Sequence, residues 1–275
     1  MGTAACSVFS TIFPSACRVC DAPLVKVSRL PVCDTCLDDV IRLHGNICSI
    51  CGNEIVSLSV RPDGTPCCGE CLQSPPPFER AVAYGTYDGV LRELIHLLKY
   101  DRVRPAAGVL GRMLSDSLLQ LLSQFESRSL LVIPVPLHEK KLRERGFNQS
   151  ELIARAAMKI IPLGDVNCST LYRVRPTESQ TGLTPQQRRS NIRGAFRVLD
   201  SSEISRRDIL LVDDVFTTGT TAAECARVLR KAGAARVWVA TVARVLLRQD
   251  TGIPRLDSGE DAVDASVPIA RAARA

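Results

Sequence analysis

Aromatic side chains are scarce in this chain: phenylalanine, tyrosine and tryptophan together make up 4% of its 275 residues. So thin a supply argues against a stacking surface for single-stranded nucleic acid as the main feature. Histidine is rarer still, limited to His44, His96 and His138. His96 falls in an apolar helical stretch and reads as packed, His44 is a spare metal ligand, and no Ser/His/Asp triad needs to be invoked. Long apolar runs are missing too, and none approaches the length that crosses a bilayer. The opening MGTAACSVFSTIFPSAC has no lysine or arginine before its apolar part, and Pro14 stands where a lipoprotein signal wants an aliphatic residue before Cys17. A cytoplasmic location without a membrane span is expected. Positive charge is in modest excess, +6 with a pI near 8.8, which favours anionic partners without choosing between phosphate esters and nucleic acid.

Cysteine is abundant, with twelve residues, and all but Cys168 and Cys225 precede residue 72. Four C-x-x-C pairs stand out: Cys17/Cys20, Cys33/Cys36, Cys48/Cys51 and Cys68/Cys71, with Cys67 a substitute for Cys68. Each pair offers two thiolates from one tight turn, and two pairs a dozen or more residues apart can enclose a tetrahedral zinc ion. Sequential pairing puts Cys17, Cys20, Cys33 and Cys36 on one ion and Cys48, Cys51, Cys68 and Cys71 on another; cross-braced pairing fits the spacing equally. A disulfide framework wants a secretion signal, and an iron–sulfur or redox dithiol reading shares the same spacing. Structural zinc, one or two ions, is the expectation. With few aromatics and little hydrophobic periodicity here, the metal would supply most of the folding free energy.

QSPPPFERA is a stiff connector and marks a boundary near residues 73–79. Beyond it, strands are expected at Ala81 to Tyr87, Ser129 to Pro136, weakly at Ser169 to Val174, in RRDILLVDD and in RVWVATVAR. Helices are expected over Gly89 to Tyr100, about Ala106 to Gln124, NQSELIARAAMKII with Ser150 as its cap, and AAECARVLRKAG. That alternation implies an α/β fold with a mainly parallel sheet flanked by helices, behind a small N-terminal cysteine-rich module. The expected division is 1–75 for the zinc module, 76–245 for the α/β domain and 246–275 for a disordered tail.

ILLVDDVFTTGTT, Ile209 to Thr221, runs a buried strand into two acids and then a hydroxyl-rich turn. Ligands of open α/β sheets sit beyond the carboxyl ends of strands. Free N–H groups at a helix start, threonine hydroxyls and a permissive Gly219 make an anion nest. The nest has no lysine, which excludes a Walker loop, and its glycine spacing is not that of a dinucleotide turn. A ribose 5-phosphate ester satisfies both halves, its hydroxyls donating to the acids, which could also hold Mg²⁺.

This stretch resembles the phosphoribosyl-pyrophosphate motif of type I phosphoribosyltransferases. The cysteine pairs, CGECLQSPPPFERAVAYGTYDGVLRELIHLLKY, VIPVPLHEKKLRERGFNQS and the acid–threonine motif occur in one order. That order resembles the ComF family of competence-associated phosphoribosyltransferase-like proteins, from about Cys17 to Arg244. The resemblance implies a type I phosphoribosyltransferase domain behind a zinc-ribbon module, with links to DNA uptake in some members. It implies that Asp213 and Asp214 contact the ribose hydroxyls as the catalytic pair, and that Thr217, Thr218, Gly219, Thr220 and Thr221 hold the 5-phosphate. Pyrophosphate would lie on Val135, Pro136, Leu137 and His138, with Lys140, Lys141, Arg143, Arg145 and Lys99 as counter-charges. A mobile hood over Arg175 to Phe196 would bring Arg188, Arg189 and Arg193. Asn148 and Gln149 have no derivable contact.

Three functions fit these residues. The first transfers ribose 5-phosphate from Mg²⁺-bound phosphoribosyl pyrophosphate to an unidentified nucleobase or amine. The second senses that ligand or a nucleotide without chemistry. The third is a single-stranded DNA adaptor working with DNA-uptake proteins.

Overall fold

The computed structural model describes residues 15–24, 29–55, 59–125, 130–177 and 184–246. The expected tail, beyond residue 246, and the opening segment before residue 15 lie outside these. Within the cysteine-rich region the regular elements are short: α1 (Asp34–Asp38), β1 (Ser59–Val60), β2 (Pro66–Cys67) and α2 (Gly69–Gln73). β1 and β2 pair antiparallel.

After the connector come β3 (Ala81–Thr86), α3 (Gly89–Lys99), α4 (Ala106–Leu118), β4 (Leu130–Pro134), α5 (Glu139–Arg145), α6 (Gln149–Met158) and β5 (Gly164–Val166). The chain continues through β6 (Leu171–Arg173), α7 (Pro185–Ile192), β7 (Phe196–Val198), β8 (Asp208–Phe216), α8 (Thr220–Lys231) and β9 (Arg236–Arg244). Five strands form one sheet in the order β3-β9-β8-β4-β5, and every pairing in it is parallel. β6 and β7 make a separate antiparallel pair.

Side chains alternate across a strand with period two, and here both faces are covered. Leu130, Val132, Leu210, Val212, Trp238 and Ala240 join α3, α4, α6 and the first cysteine group in one core. Leu131, Ile133, Ile209, Leu211, Val237 and Val239 join α8 and the second cysteine group in the other. Burial on both faces is why β4 and β8 read as unbroken apolar runs.

β3 is an edge strand, and unpaired edges invite aggregation. The cysteine-rich module covers this one: Arg42 bridges Gly85, and Leu43 N–H donates to the Tyr84 carbonyl at 3.0 Å. Gly85 is required there, because a Cβ would collide with the Ile41 carbonyl oxygen. At the other end of β3, Ala81 N–H donates to the Ile50 carbonyl at 2.6 Å.

Local differences from expectation have local causes. The helix expected to reach Gln124 is α-helical to Leu118 and 3₁₀ from there on. The cap of α6 is Asn148, whose Oδ1 accepts from Ser150 N–H at 3.0 Å, and not Ser150 itself. β5 is three residues long, too short for alternation to reveal. The strand through the acid pair does not stop at Val212 but runs to Phe216.

Candidate functional site

β8 continues through the acids, and both carboxylates reach one cleft, Asp214 toward α3 and Asp213 toward α6. Asp214 is buried and ion-paired with the Nζ of Lys99, the last residue of α3. Asp213 is half-buried; its Oδ1 accepts from Ser150 Oγ at 2.9 Å and from Asp214 N–H at 2.9 Å. Their titration diverges accordingly. Burial, then the charge of Asp214, push the Asp213 carboxyl up to about 8. Burial also works against an ionised Asp214, but the Lys99 ammonium outweighs it and holds that carboxyl below the usual range.

The raised Asp213 carboxyl links its proton to folding. Folded protein keeps a proton that the unfolded chain loses near pH 4, so this group's contribution to stability falls as pH rises from about 4 to about 8. Asp213→Asn cannot ionise. Its melting temperature relative to wild type is therefore expected to rise between about pH 6 and about pH 8.5, as scanning calorimetry on both proteins would record. A constant difference across that range contradicts the shift.

Beyond Phe216 the chain bends through Thr217, Thr218 and Gly219 into α8, whose first residues are Thr220 and Thr221. Gly219 is the N-cap in a left-handed conformation, φ +73°, which other residues rarely adopt. A Cβ there would also lie 2.5 Å from the Phe216 ring. Thr218 Oγ1 and Thr220 Oγ1 share a hydrogen bond of 2.8 Å. All five residues are half-buried.

Facing the acids is a cleft of about 460 Å³. Its walls bring together Lys99, Val135, Pro136, Leu137, His138, Lys140, Lys141, Arg145, Asp213, Asp214 and Thr221. His138 caps α5, its Nδ1 accepting from Lys140 N–H at 3.3 Å. Arg143 turns away to pair with Glu139 at 2.5 Å and is not part of this wall. Burial, then the charges of Arg145, Arg173 and Lys99, push the Lys141 ammonium down. Crowded cations of this kind are relieved by an anion.

Arg173 is the wall cation that sequence reasoning missed, and Tyr100, Glu144, Gln149, Pro176 and Thr177 line the cleft with it. Arg173 closes β6, donates to Thr177 Oγ1 and stacks 5.5 Å from the Phe196 ring centroid. An arginine ending a three-residue strand carries no signal in the sequence until that strand is placed over the acids. The arginines expected from the hood lie elsewhere: Arg193 is exposed, Arg188 is half-buried, and neither lines this cleft. The side chain of Arg189 is outside the described residues. Arg175 instead ties the hood together, donating to the carbonyls of Asn191 at 2.7 Å and Arg193 at 2.9 Å. Asn148, besides capping α6, donates to the Val135 carbonyl at 3.0 Å and so steadies the wall.

The thiols gather into two groups, Cys17/Cys20/Cys33/Cys36 and Cys48/Cys51/Cys68/Cys71, with all sulfurs of a group within 4.8 Å of one another. Sequential pairing is the arrangement adopted. Tetrahedral zinc with Zn–S bonds of about 2.3 Å spaces its sulfurs about 3.8 Å apart. Cys17–Cys36 at 3.9 Å, Cys20–Cys33 at 3.7 Å and Cys51–Cys68 at 3.7 Å match that spacing. Cys67 lies 4.0 Å from Cys48 but turns its thiol to the Cys68 carbonyl, and His44 is exposed outside both groups. Among the described residues no helix is long and apolar enough to cross a membrane.

A parallel sheet with an acid pair on a central strand and a threonine–glycine turn behind it defines a phosphoribosyltransferase-like domain, here joined to a double zinc ribbon. Residues 147–260 match the family model described as phosphoribosyl transferase domain, and residues 8–74 match the double zinc ribbon domain. DNA utilization protein YhgH of Salmonella typhi is 34% identical over 244 residues, 85% of this chain and 98% of the relative. Competence protein F of Haemophilus influenzae is 30% identical over 199 residues, 72% of this chain and 84% of the relative. Glutamine phosphoribosylpyrophosphate amidotransferase from B. subtilis overlaps 50% of this chain and 26% of its own at 20% identity, with a TM-score of 0.32, a likeness too partial to carry weight. The chain belongs to the ComF family of competence-associated phosphoribosyltransferase-like proteins.

Proposed function

We propose that the cleft binds Mg²⁺-phosphoribosyl pyrophosphate and transfers its ribose 5-phosphate to a nitrogen acceptor. The observation that carries this is the juxtaposition of Asp213, Thr221 and the cations Lys140, Lys141 and Arg145 around one cleft, Thr221 being the one residue of the Thr217–Thr221 turn on its wall and the other four preceding it at the start of α8. The N–H groups and hydroxyls of the nest take the 5-phosphate. Asp213 accepts from the ribose hydroxyls and, releasing to solvent the proton it keeps in the empty site, would hold Mg²⁺ directly or through water, because Asp214 is engaged with Lys99. The metal, when bound, shields charge on the diphosphate. Val135–His138 cradles the diphosphate, with Lys140, Lys141 and Arg145 neutralising it as it departs. As the C–O bond to diphosphate breaks, positive charge grows on the sugar, and the acids beneath favour it. The acceptor nitrogen forms the new bond and gives up its proton to solvent or to the departing diphosphate. Lys99 serves this site as the partner that keeps Asp214 ionised, and Arg173 stands over it from the end of β6.

Four thiolates in each ribbon hold a structural zinc ion, two per chain. Working domains of 1–75 and 76–245 follow, with the first covering the edge of the second.

Incubation with donor labelled in the ribose, alone and with a panel of nucleobases and amines, tests the reaction. Diphosphate release that needs one acceptor, with label transferred to it, is the expected result. Saturable binding with no release under any acceptor would replace the enzyme by a sensing module. The names of the relatives, competence protein and DNA utilization protein, favour a second reading in which single-stranded DNA binds the basic surface. Its mark is an affinity that falls steeply with salt.

A further inference from the structure

Arg244 ends β9 almost fully buried, with 3% of its surface exposed, and no part of the transfer chemistry uses it. Burying a guanidinium is costly without a counter-charge. Arg244 Nη1 donates to the Cys51 carbonyl, and Nη2 lies 3.7 Å from Cys51 Sγ. Its Nε is buried with no hydrogen-bond partner among the described residues. Four thiolates around one divalent cation carry a net double negative charge, so the zinc-loaded second ribbon is a fitting counter-ion.

The other side of the same guanidinium lies 4.5 Å from the centroid of the Phe216 ring, its cross-strand neighbour in the β8–β9 register. Phe78, from the connector, meets that ring edge-on with centroids 6.2 Å apart. Above the ring is the backbone of Gly219, where even a methyl group would lie 2.5 Å from Phe216 Cζ. A continuous line of contacts thus runs from Cys51 through Arg244 and Phe216 to the turn that opens α8.

We propose that Arg244 is a positioning residue that couples the second zinc ribbon to the anion nest, so that the metal-ordered Cys48–Cys51 turn sets the shape of the 5-phosphate site through the Phe216 ring. This rests on the assignment of the nest to a 5-phosphate. Diphosphate binding at Val135–His138, on the loop after β4, does not lie on the line and is left unaffected.

Calorimetry with two probes, ribose 5-phosphate and inorganic diphosphate, tests the coupling on zinc-loaded full-length protein, with zinc counted by a chromophoric chelator after thiol release. Arg244→Met is expected to weaken ribose 5-phosphate binding roughly tenfold, within the range that mutations along a contact chain produce, with diphosphate affinity unchanged and two zinc ions retained. Phe216→Leu, which keeps an apolar side chain and breaks the line one residue later, is expected to do the same and serves if Arg244→Met does not fold. Wild-type affinity for ribose 5-phosphate in either folded variant overturns the proposal, as does a parallel loss for both probes. A wild-type protein that binds diphosphate but not ribose 5-phosphate overturns the nest assignment itself and the coupling with it.

Discussion

Asp214→Asn is expected to destabilise the protein by about 3–5 kcal/mol, well beyond the effect of removing a surface charge. The reason lies in burial: the side chains of Lys99 and Asp214 are 18% and 6% exposed. Neutralising the acid leaves the Lys99 ammonium in a poorly solvated site with its compensating charge gone. The same substitution is expected to lose ligand binding, so a binding defect alone would be misread as a catalytic role. Lys99→Met combined with Asp214→Leu removes both charges and is expected to recover most of the stability, because replacing a buried pair by apolar groups is often neutral. Urea unfolding of the three proteins at neutral pH decides the matter. A loss for Asp214→Asn of about 1 kcal/mol or less, the range of exposed pairs, would show that this pair does not hold the floor of the cleft.

Removal of zinc is expected to have the second large effect. The cysteine-rich module offers only short strands and helices, and much of its buried surface is cysteine. Zinc binding of about 10 kcal/mol or more per site supplies its order. Chelation should release two ions per chain and make residues 15–75 sensitive to protease. The edge of β3 should then lose the bridge at Arg42 and Gly85, and the protein should associate through that exposed strand. Hydrogen exchange at Leu43 and light scattering read the two consequences. Full protection at Leu43 after both ions have left would mean that the module holds its place without metal.

Much of this molecule was legible in its sequence, for physical reasons that differ by region. β4 and β8 are buried on both faces, so their apolar runs are continuous and unmistakable. The threonine–glycine turn announces itself because a left-handed residue with no space for a Cβ has to be glycine. C-x-x-C spacing named the four cysteine pairs but left open which two share an ion, since each turn fixes only its own two sulfurs. Side-chain direction was the main thing hidden. Lys99 and Arg143 read as interchangeable cations, yet one is buried against Asp214 and the other is spent on Glu139 in solvent. Ser150 looked like a cap and instead supports Asp213, because Asn148 two residues earlier takes the cap. Arg173 and Arg244 gave no signal, since their meaning depends on which distant segment each strand end meets.

The central claim is that the acids and the threonine turn grip one sugar phosphate. Titration of Mg²⁺-phosphoribosyl pyrophosphate into zinc-loaded wild type and Asp213→Asn tests it most directly. Asp213 is the acid to change, because it is outside the buried ion pair and its substitution leaves Lys99 compensated. One saturable site in wild type, with affinity reduced about a hundredfold or more in Asp213→Asn, is the expected result, because the amide cannot ionise when Mg²⁺ arrives as the carboxyl can, a difference of about 3 kcal/mol. Equal affinity in the two proteins, or no binding by wild type, would contradict it.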